Sequence, residues 1–482
     1  MAERKRGVAT NSILLSFVQC LTIMTSIVQT MILSRELTEL EYGTYSQGLL
    51  VANFLVPFLL VGLSNAITYF SGQREINVHQ YINTIVTIIL ILGLTGAAGI
   101  FVFKGFIIGY FGNDALEGVL PFVAFLPLLL NLITVYQTLF IAEDMAVSVA
   151  IRNAIVAVVQ IGIILAGVFL FQDIRAIFIL LIVMDVLQIV IFATVFSKRR
   201  YTVRIGRIDR EITRNIFKYS VPLAFSTAIG TLSIYMDKLL IGNLMSVEDF
   251  ALYTNMAKEL PFSFIVSSFT TVITPVFIRL HATGEDDQLK RYWAKYLELG
   301  ICITWVLCGT AIACSKDLLL FLYSEKYASG IRVFVVYLLV EMCRFSYFGI
   351  ILSSFGKTKI ILYSSIIALV SNFILNIILF RLLGMVGPAI ASLLSILMME
   401  LLQIGFSCKM LKCRWREIFN CCFLIMLLAE TVAIGSVIFY FGSKLQINST
   451  IRLILCGGCM AGVLGLLNFK RIKNLIRTIN SL

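Results

Sequence analysis

Several charged side chains stand inside long apolar runs of this sequence: Asp185, Asp237, Lys238, Lys258, Glu259, Glu341, Arg344, Glu400 and Glu430. A charge in hydrocarbon is costly, so such groups face a bundle interior and there pair, bind or relay. Arg344 offers a planar fork of donors that grips an anion through paired, charge-assisted hydrogen bonds. With Lys238 and Lys258 in support and Asp237 alongside, it forms the candidate substrate-binding set. Asp185 and Glu400 are the candidate ion-coupling groups, because low dielectric disfavours an ionised carboxylate and makes it a carrier for H+ or Na+. Glu341 joins them; it lies three residues before Arg344 on one helical face, where mutual neutralisation is the plainer reading. The plainer readings elsewhere are helix packing for Asp185, Glu400 and Glu430, and snorkelling to an interface for Lys238 and Lys258.

Other chemistry is not encoded in recognisable form. No Walker motif, Ser/His/Asp arrangement or dinucleotide fingerprint occurs, so no catalytic residue and no cofactor is assigned. His79 and His281 have no Cys or His neighbours, and no metal site is read from them. Ten of the eleven Cys lie in the second half, and Cys456-Gly-Gly-Cys459 reads as small residues one helical turn apart within a span.

The elements that must position these groups are membrane helices. The chain is 59% hydrophobic and only 14% charged, with a mean hydropathy of +0.94, against about 25% charged residues in a soluble domain. Its net charge of +12 would point to nucleic acid in a soluble protein; here most Lys/Arg fall in loops placed on the cytoplasmic side, which is the positive-inside bias, and no nucleic-acid partner is expected. Apolar runs of about 20 residues, each enough to cross a bilayer, begin at Ser12 and end near residue 468. They give fourteen expected spans with both termini inside. The first, following Arg4, Lys5 and Arg6, has no cleavage site and reads as a retained span.

The basic stretch 198–215 divides the spans. It places six before it (1–197), six after it (216–408), and two more with a basic tail (409–482). It carries Lys198, Arg199, Arg200, Arg204, Arg207, Arg210 and Arg214 against Asp209 and Glu211, and is expected to be a cytoplasmic tether, as are the loops 72–79, 280–292 and 409–416.

An internal repeat supports the division. The segment from Glu36 aligns with that from Leu244 at one constant offset, matching Thr38 with Ser246, Glu41 with Asp249, Tyr42 with Phe250 and Tyr45 with Tyr253. Near the end of each half, Met184-Asp-Val-Leu-Gln-Ile189 aligns with Met399-Glu-Leu-Leu-Gln-Ile404, which puts Asp185 and Glu400 in equivalent spans. Six spans per half in the same orientation imply parallel repeats.

The six-plus-six-plus-two plan, the basic start, the segment Ile32-Leu-Ser-Arg-Glu-Leu-Thr-Glu-Leu-Glu-Tyr-Gly-Thr-Tyr45 and Asp237-Lys-Leu-Leu-Ile-Gly-Asn243 resemble the polysaccharide repeat-unit flippases. These belong to the multidrug, oligosaccharidyl-lipid and polysaccharide exporter superfamily. The resemblance covers residues 5–468 and implies an all-α fold of two six-helix bundles in a V plus two C-terminal helices. It implies movement of an undecaprenyl-diphosphate-linked oligosaccharide across a prokaryotic cytoplasmic membrane for O-antigen, capsule or exopolysaccharide assembly, alongside a glycan polymerase and a chain-length regulator. The alternatives are a peptidoglycan lipid-precursor flippase and a cation-coupled multidrug exporter of the same superfamily. Against the exporter, Ser12–Ser34 has no acidic residue. A membrane glycan polymerase or acyltransferase would show a large exterior loop or a buried His, and neither is present, so no enzyme is expected.

Overall fold

The computed structural model describes residues 2–71, 78–143, 145–200, 202–206, 208–258, 260 and 262–480. The described residues are helical with no strand. Ten helices among them are long and apolar enough to cross a membrane, and their outward faces carry large apolar groups such as Leu94, Val102, Val158, Ile191, Leu382 and Leu466. Such surfaces fit lipid rather than water, and the protein is a multi-pass membrane protein. Glu259 and most of the expected loop 72–79 lie outside the described residues.

Packing divides the chain into two compact units, one running to Leu252 and one from Tyr253. In the first are α1 (Ala2–Glu36), α2 (Glu39–Leu60), α3 (Leu63–Ser71), α4 (Val78–Val102), α5 (Lys104–Phe111), α6 (Leu120–Val123), α7 (Leu126–Ala142), α8 (Ala146–Leu165), α9 (Ile174–Arg199) and α10 (Arg210–Leu244), with α11 (Val247–Met256) crossing the boundary. The helix after the basic stretch, α10, therefore packs with the first unit, against α2, α3, α4 and α5.

Small residues allow the close approaches. A β-carbon on Gly93 of α4 would lie 2.3 Å from Leu128 Cδ1 of α7, so only glycine lets these helices meet at that distance. The basic stretch is docked rather than loose: the N–H groups of Arg204 and Gly206 donate to Asn83 Oδ1 (2.8 Å) and Thr87 Oγ1 (3.1 Å) of α4. Arg200 is paired with Glu143 at 3.1 Å.

The aligned segments Thr38–Tyr45 and Ser246–Tyr253 share a physical cause. Thr38 caps α2, with Glu41 N–H donating to Thr38 Oγ1 (3.2 Å) and Thr38 N–H donating to Glu41 Oε2 (2.9 Å). Ser246 caps α11 in the matching place: Asp249 N–H donates to Ser246 Oγ, and here the hydroxyl donates back, Ser246 Oγ to Asp249 Oδ2, both at 3.1 Å. Each copy is a helix start capped by a hydroxyl, with the full reciprocal capping box at Thr38.

The second unit holds α12 (Phe262–Ala282), α13 (Asp286–Ala313), α14 (Ser315–Leu322), α15 (Ile331–Cys343), α16 (Ile350–Ser354), α17 (Thr358–Leu383), α18 (Val386–Met410), α19 (Trp415–Ile418), α20 (Cys421–Lys444) and α21 (Ser449–Asn480). Here α13 is the hub, packing against α12, α15, α20 and α21. The four expected spans that are not among the ten long apolar helices fall on α1, α10, α12 and the pair α15/α16. On α10 the polar residues Thr227, Thr231, Ser233, Asp237 and Lys238 dilute the apolar run, and the span expected at 331–354 is interrupted after Cys343.

Candidate functional site

Each unit contains a buried carboxylate that shares its surroundings with an arginine from another helix. In the first unit Asp185 of α9 is 5% exposed and accepts a hydrogen bond from Gln188 Nε2 at 3.0 Å. These two residues stand one helical turn apart, so the contact follows from the sequence spacing. Gln188 Oε1 in turn accepts from Arg152 Nη2 of α8. Arg152 Nη1 also donates to Asn153 Oδ1 (2.6 Å), Gln137 Nε2 of α7 donates to the same oxygen (3.3 Å), and the guanidinium lies 5.5 Å from the centre of the Phe192 ring. The result is a polar seam through α7, α8 and α9; further along α8, Gln29 Nε2 of α1 donates to Gln160 Oε1 at 3.3 Å.

In the second unit Glu400 of α18 is 6% exposed, and its charged neighbour is Arg344. The aligned glutamine, Gln403, donates to Ser364 Oγ of α17 at 3.0 Å. Arg344 owes its position to the break in the tenth expected span. α15 stops at Cys343, Arg344 is its C-cap with φ −75° and ψ 38°, and α16 starts only at Ile350. A helix C-terminus carries partial negative charge from its last carbonyls, so a cation there is favoured. Glu341, in the last turn of α15, is 2% exposed.

The groups that the break frees are satisfied by α13. Trp305 Nε1 donates to the Met342 carbonyl (3.1 Å), the Tyr347 N–H donates to Tyr296 Oη (3.2 Å), and Tyr296 Oη and Thr270 Oγ1 of α12 lie 2.6 Å apart. A β-carbon on Gly300 would sit 2.1 Å from the Phe345 carbonyl oxygen. Non-helical backbone at membrane depth persists only where protein satisfies it in this way, and broken helices of this kind line transporter sites.

Thus Arg344 and Glu400 are charged neighbours in the second unit. The structure also adds Arg152 to the Asp185 group, which the sequence reading did not assign. Asp237, 3% exposed, lies on α10 two turns before its end, and its Oδ1 accepts the Lys238 N–H at 2.8 Å. Lys238 lies half-buried, its ammonium 5.6 Å from the centre of the Tyr235 ring. Lys258 is not within a helix as expected; it occupies the connection between α11 and α12, its N–H donating to the Asn255 carbonyl at 3.3 Å. Pro261 in the sequence disfavours helix just before it. Glu430 is a packing contact: Asn468 Nδ2 of α21 donates to it at 3.2 Å.

With that geometry in hand, comparison with known proteins gives a consistent answer. The model of a family described as polysaccharide biosynthesis protein matches residues 32–332. The chain belongs to that family. No curated protein matches the sequence. Among solved structures, the fold is similar to the inward closed conformation of the lipid II flippase MurJ, with a TM-score of 0.69 and 14% identity over 95% of this chain and 100% of that one. It is also similar to an inward-facing MATE family multidrug resistance transporter of the MOP superfamily (TM-score 0.65, 13% identity, 81% of this chain and 94% of that one). A MOP superfamily transporter from Pyrococcus furiosus, described as having a binding pocket of reverse polarity, gives a TM-score of 0.60 at 13% identity over 85% of this chain and 96% of that one. The fold is therefore the helical one that these flippase and transporter structures share.

Proposed function

We propose that this protein is a flippase, not an enzyme, that carries a polyprenyl-diphosphate-linked oligosaccharide repeat unit across the cytoplasmic membrane for surface polysaccharide assembly. The observation that carries the reading is Arg344, a cation at the break in a membrane helix with Glu400 as a charged neighbour. A guanidinium can exchange a carboxylate for a phosphate, because both present the paired oxygens that its fork accepts. In the proposed cycle the diphosphate draws Arg344 from Glu400, and Glu400 then needs another cation, H+ or Na+, which couples substrate binding to an ion gradient. Lys238 and Lys258 are proposed as supporting cations. Asp185 is proposed as the corresponding group of the first unit, with Arg152 already beside it.

The two six-helix halves are proposed to alternate access, with both termini and the basic stretch in the cytoplasm and the glycan polymerase receiving the product outside. Cell-surface glycan measured against protein abundance tests the central role. Arg344→Ala is expected to abolish export in a normally expressed protein, and Arg344→Lys to retain part of it. Wild-type export by Arg344→Ala would refute the role.

A further inference from the structure

The second unit contains a cavity of about 1140 Å³ that the flipping cycle does not use. It lies where the starts of α13 and α20 meet the short α19. Both α13 and α20 are long and apolar enough to cross a membrane, so the cavity opens at the level where bilayer meets water.

Its rim and its wall differ in chemistry. At the rim Arg291 and Arg416 are exposed, and Trp415, 54% exposed, lies beside Arg416 with 5.6 Å between guanidinium and ring centre. The deeper wall is apolar, formed by Leu297, Ile301, Phe423 and Leu424. The two acids that line the cavity have partners: Glu298 is paired with Lys295 at 2.7 Å, and Glu417 accepts the Arg414 N–H at 3.0 Å.

We propose that this cavity holds an anionic glycerophospholipid of the bilayer, of which phosphatidylglycerol is the simplest. The headgroup phosphate takes its hydrogen bonds from Arg291 and Arg416, and one acyl chain runs along the apolar wall towards α20. A guanidinium pair matches a phosphodiester, basic pockets between membrane helices on the cytoplasmic side recognise phosphate headgroups, and an exposed Trp at the interface anchors the same depth. A zwitterionic lipid carries the same phosphodiester but sets its cationic choline against the two arginines, and a soluble anion leaves the apolar wall unused. The site is independent of which glycan is flipped.

Trp415 supplies the test. In vesicles, phosphatidylglycerol brominated on its acyl chains is expected to quench the Trp415-dependent fluorescence more than brominated phosphatidylcholine, with Trp415→Phe defining that signal. Combining Arg291→Ala with Arg416→Ala, both at exposed positions, is expected to weaken the phosphatidylglycerol preference by about tenfold or more, since both charge-assisted contacts are lost. Equal quenching by the two lipids, a preference that survives in the double variant, or a preference that persists in Trp415→Phe would each overturn the proposal. Displacement of the lipid by inorganic phosphate at millimolar concentration would overturn the choice of a lipid as occupant.

Discussion

The β-carbon that Gly43 lacks would lie 2.4 Å from the carbonyl oxygen of Val247 and 2.6 Å from its Cγ1. Gly43 follows the Thr38 cap and Val247 follows the Ser246 cap, so the two copies of the internal repeat touch each other within the first unit. Around this contact Asn243 Nδ2 donates to the Tyr110 carbonyl (2.7 Å), Tyr110 Oη donates to the Leu239 carbonyl (3.2 Å), and Phe111 packs edge-on to Phe250. Gly43→Leu forces these segments apart, at about 1–3 kcal/mol for an overpacked contact. In a background without the native cysteines, labelling of a cysteine at position 247 by an impermeant maleimide is expected to rise in Gly43→Leu. Unchanged labelling would show that the contact does not hold these two segments together.

The Asp185 group makes a stability prediction. Removing Arg152 leaves a buried carboxylate and Gln188 without their cation, which destabilises by about 3 kcal/mol for a partly buried pair. Unfolding in detergent is expected to show this loss in Arg152→Ala, with much of it recovered when Asp185→Asn is added. If the two substitutions were simply additive, Arg152 and Asp185 would not be coupled.

The break after Cys343 depends on α13. Gly300→Ala places a methyl on the Phe345 carbonyl and is expected to lower export sharply with the protein still expressed, whereas Trp305→Phe removes one hydrogen bond to the Met342 carbonyl, worth about 1 kcal/mol, and is expected to be milder. Export by Gly300→Ala at the wild-type level would mean that the broken segment can be repositioned without consequence.

Topology is checked at Ile205, which is 65% exposed. A single cysteine there is expected to resist an impermeant reagent added to intact cells and to react after permeabilisation. Reaction from outside would invert the orientation proposed for the whole chain.

Much of this was legible in the sequence because the signals are local. Fourteen apolar runs, the paired Thr38/Glu41 and Ser246/Asp249 patterns and the carboxylates Asp185 and Glu400 each stand out against their neighbours. Arg152 did not, because it stands at the very start of an apolar run and reads as a boundary charge. The break at Arg344 was hidden for a different reason. Helix interruptions announce themselves through Pro or Gly, yet no proline lies nearby and the first glycine is Gly349, at the end of the broken segment. The break is upheld instead by Trp305, Tyr296 and Gly300, residues far away in sequence. Lys258 reads as part of a helix in the sequence because largely apolar residues flank it, 250–257 before and Phe262 onward after.

The most direct measurement is translocation in proteoliposomes of a fluorescent polyprenyl-diphosphate oligosaccharide, scored by its accessibility to an external quencher, with a lipid-linked peptidoglycan precursor run in parallel. The proposal predicts protein-dependent movement of the oligosaccharide carrier, preferred over the precursor, abolished by Arg344→Ala and partly retained by Arg344→Lys. No movement above protein-free vesicles, or full movement in Arg344→Ala, would contradict it.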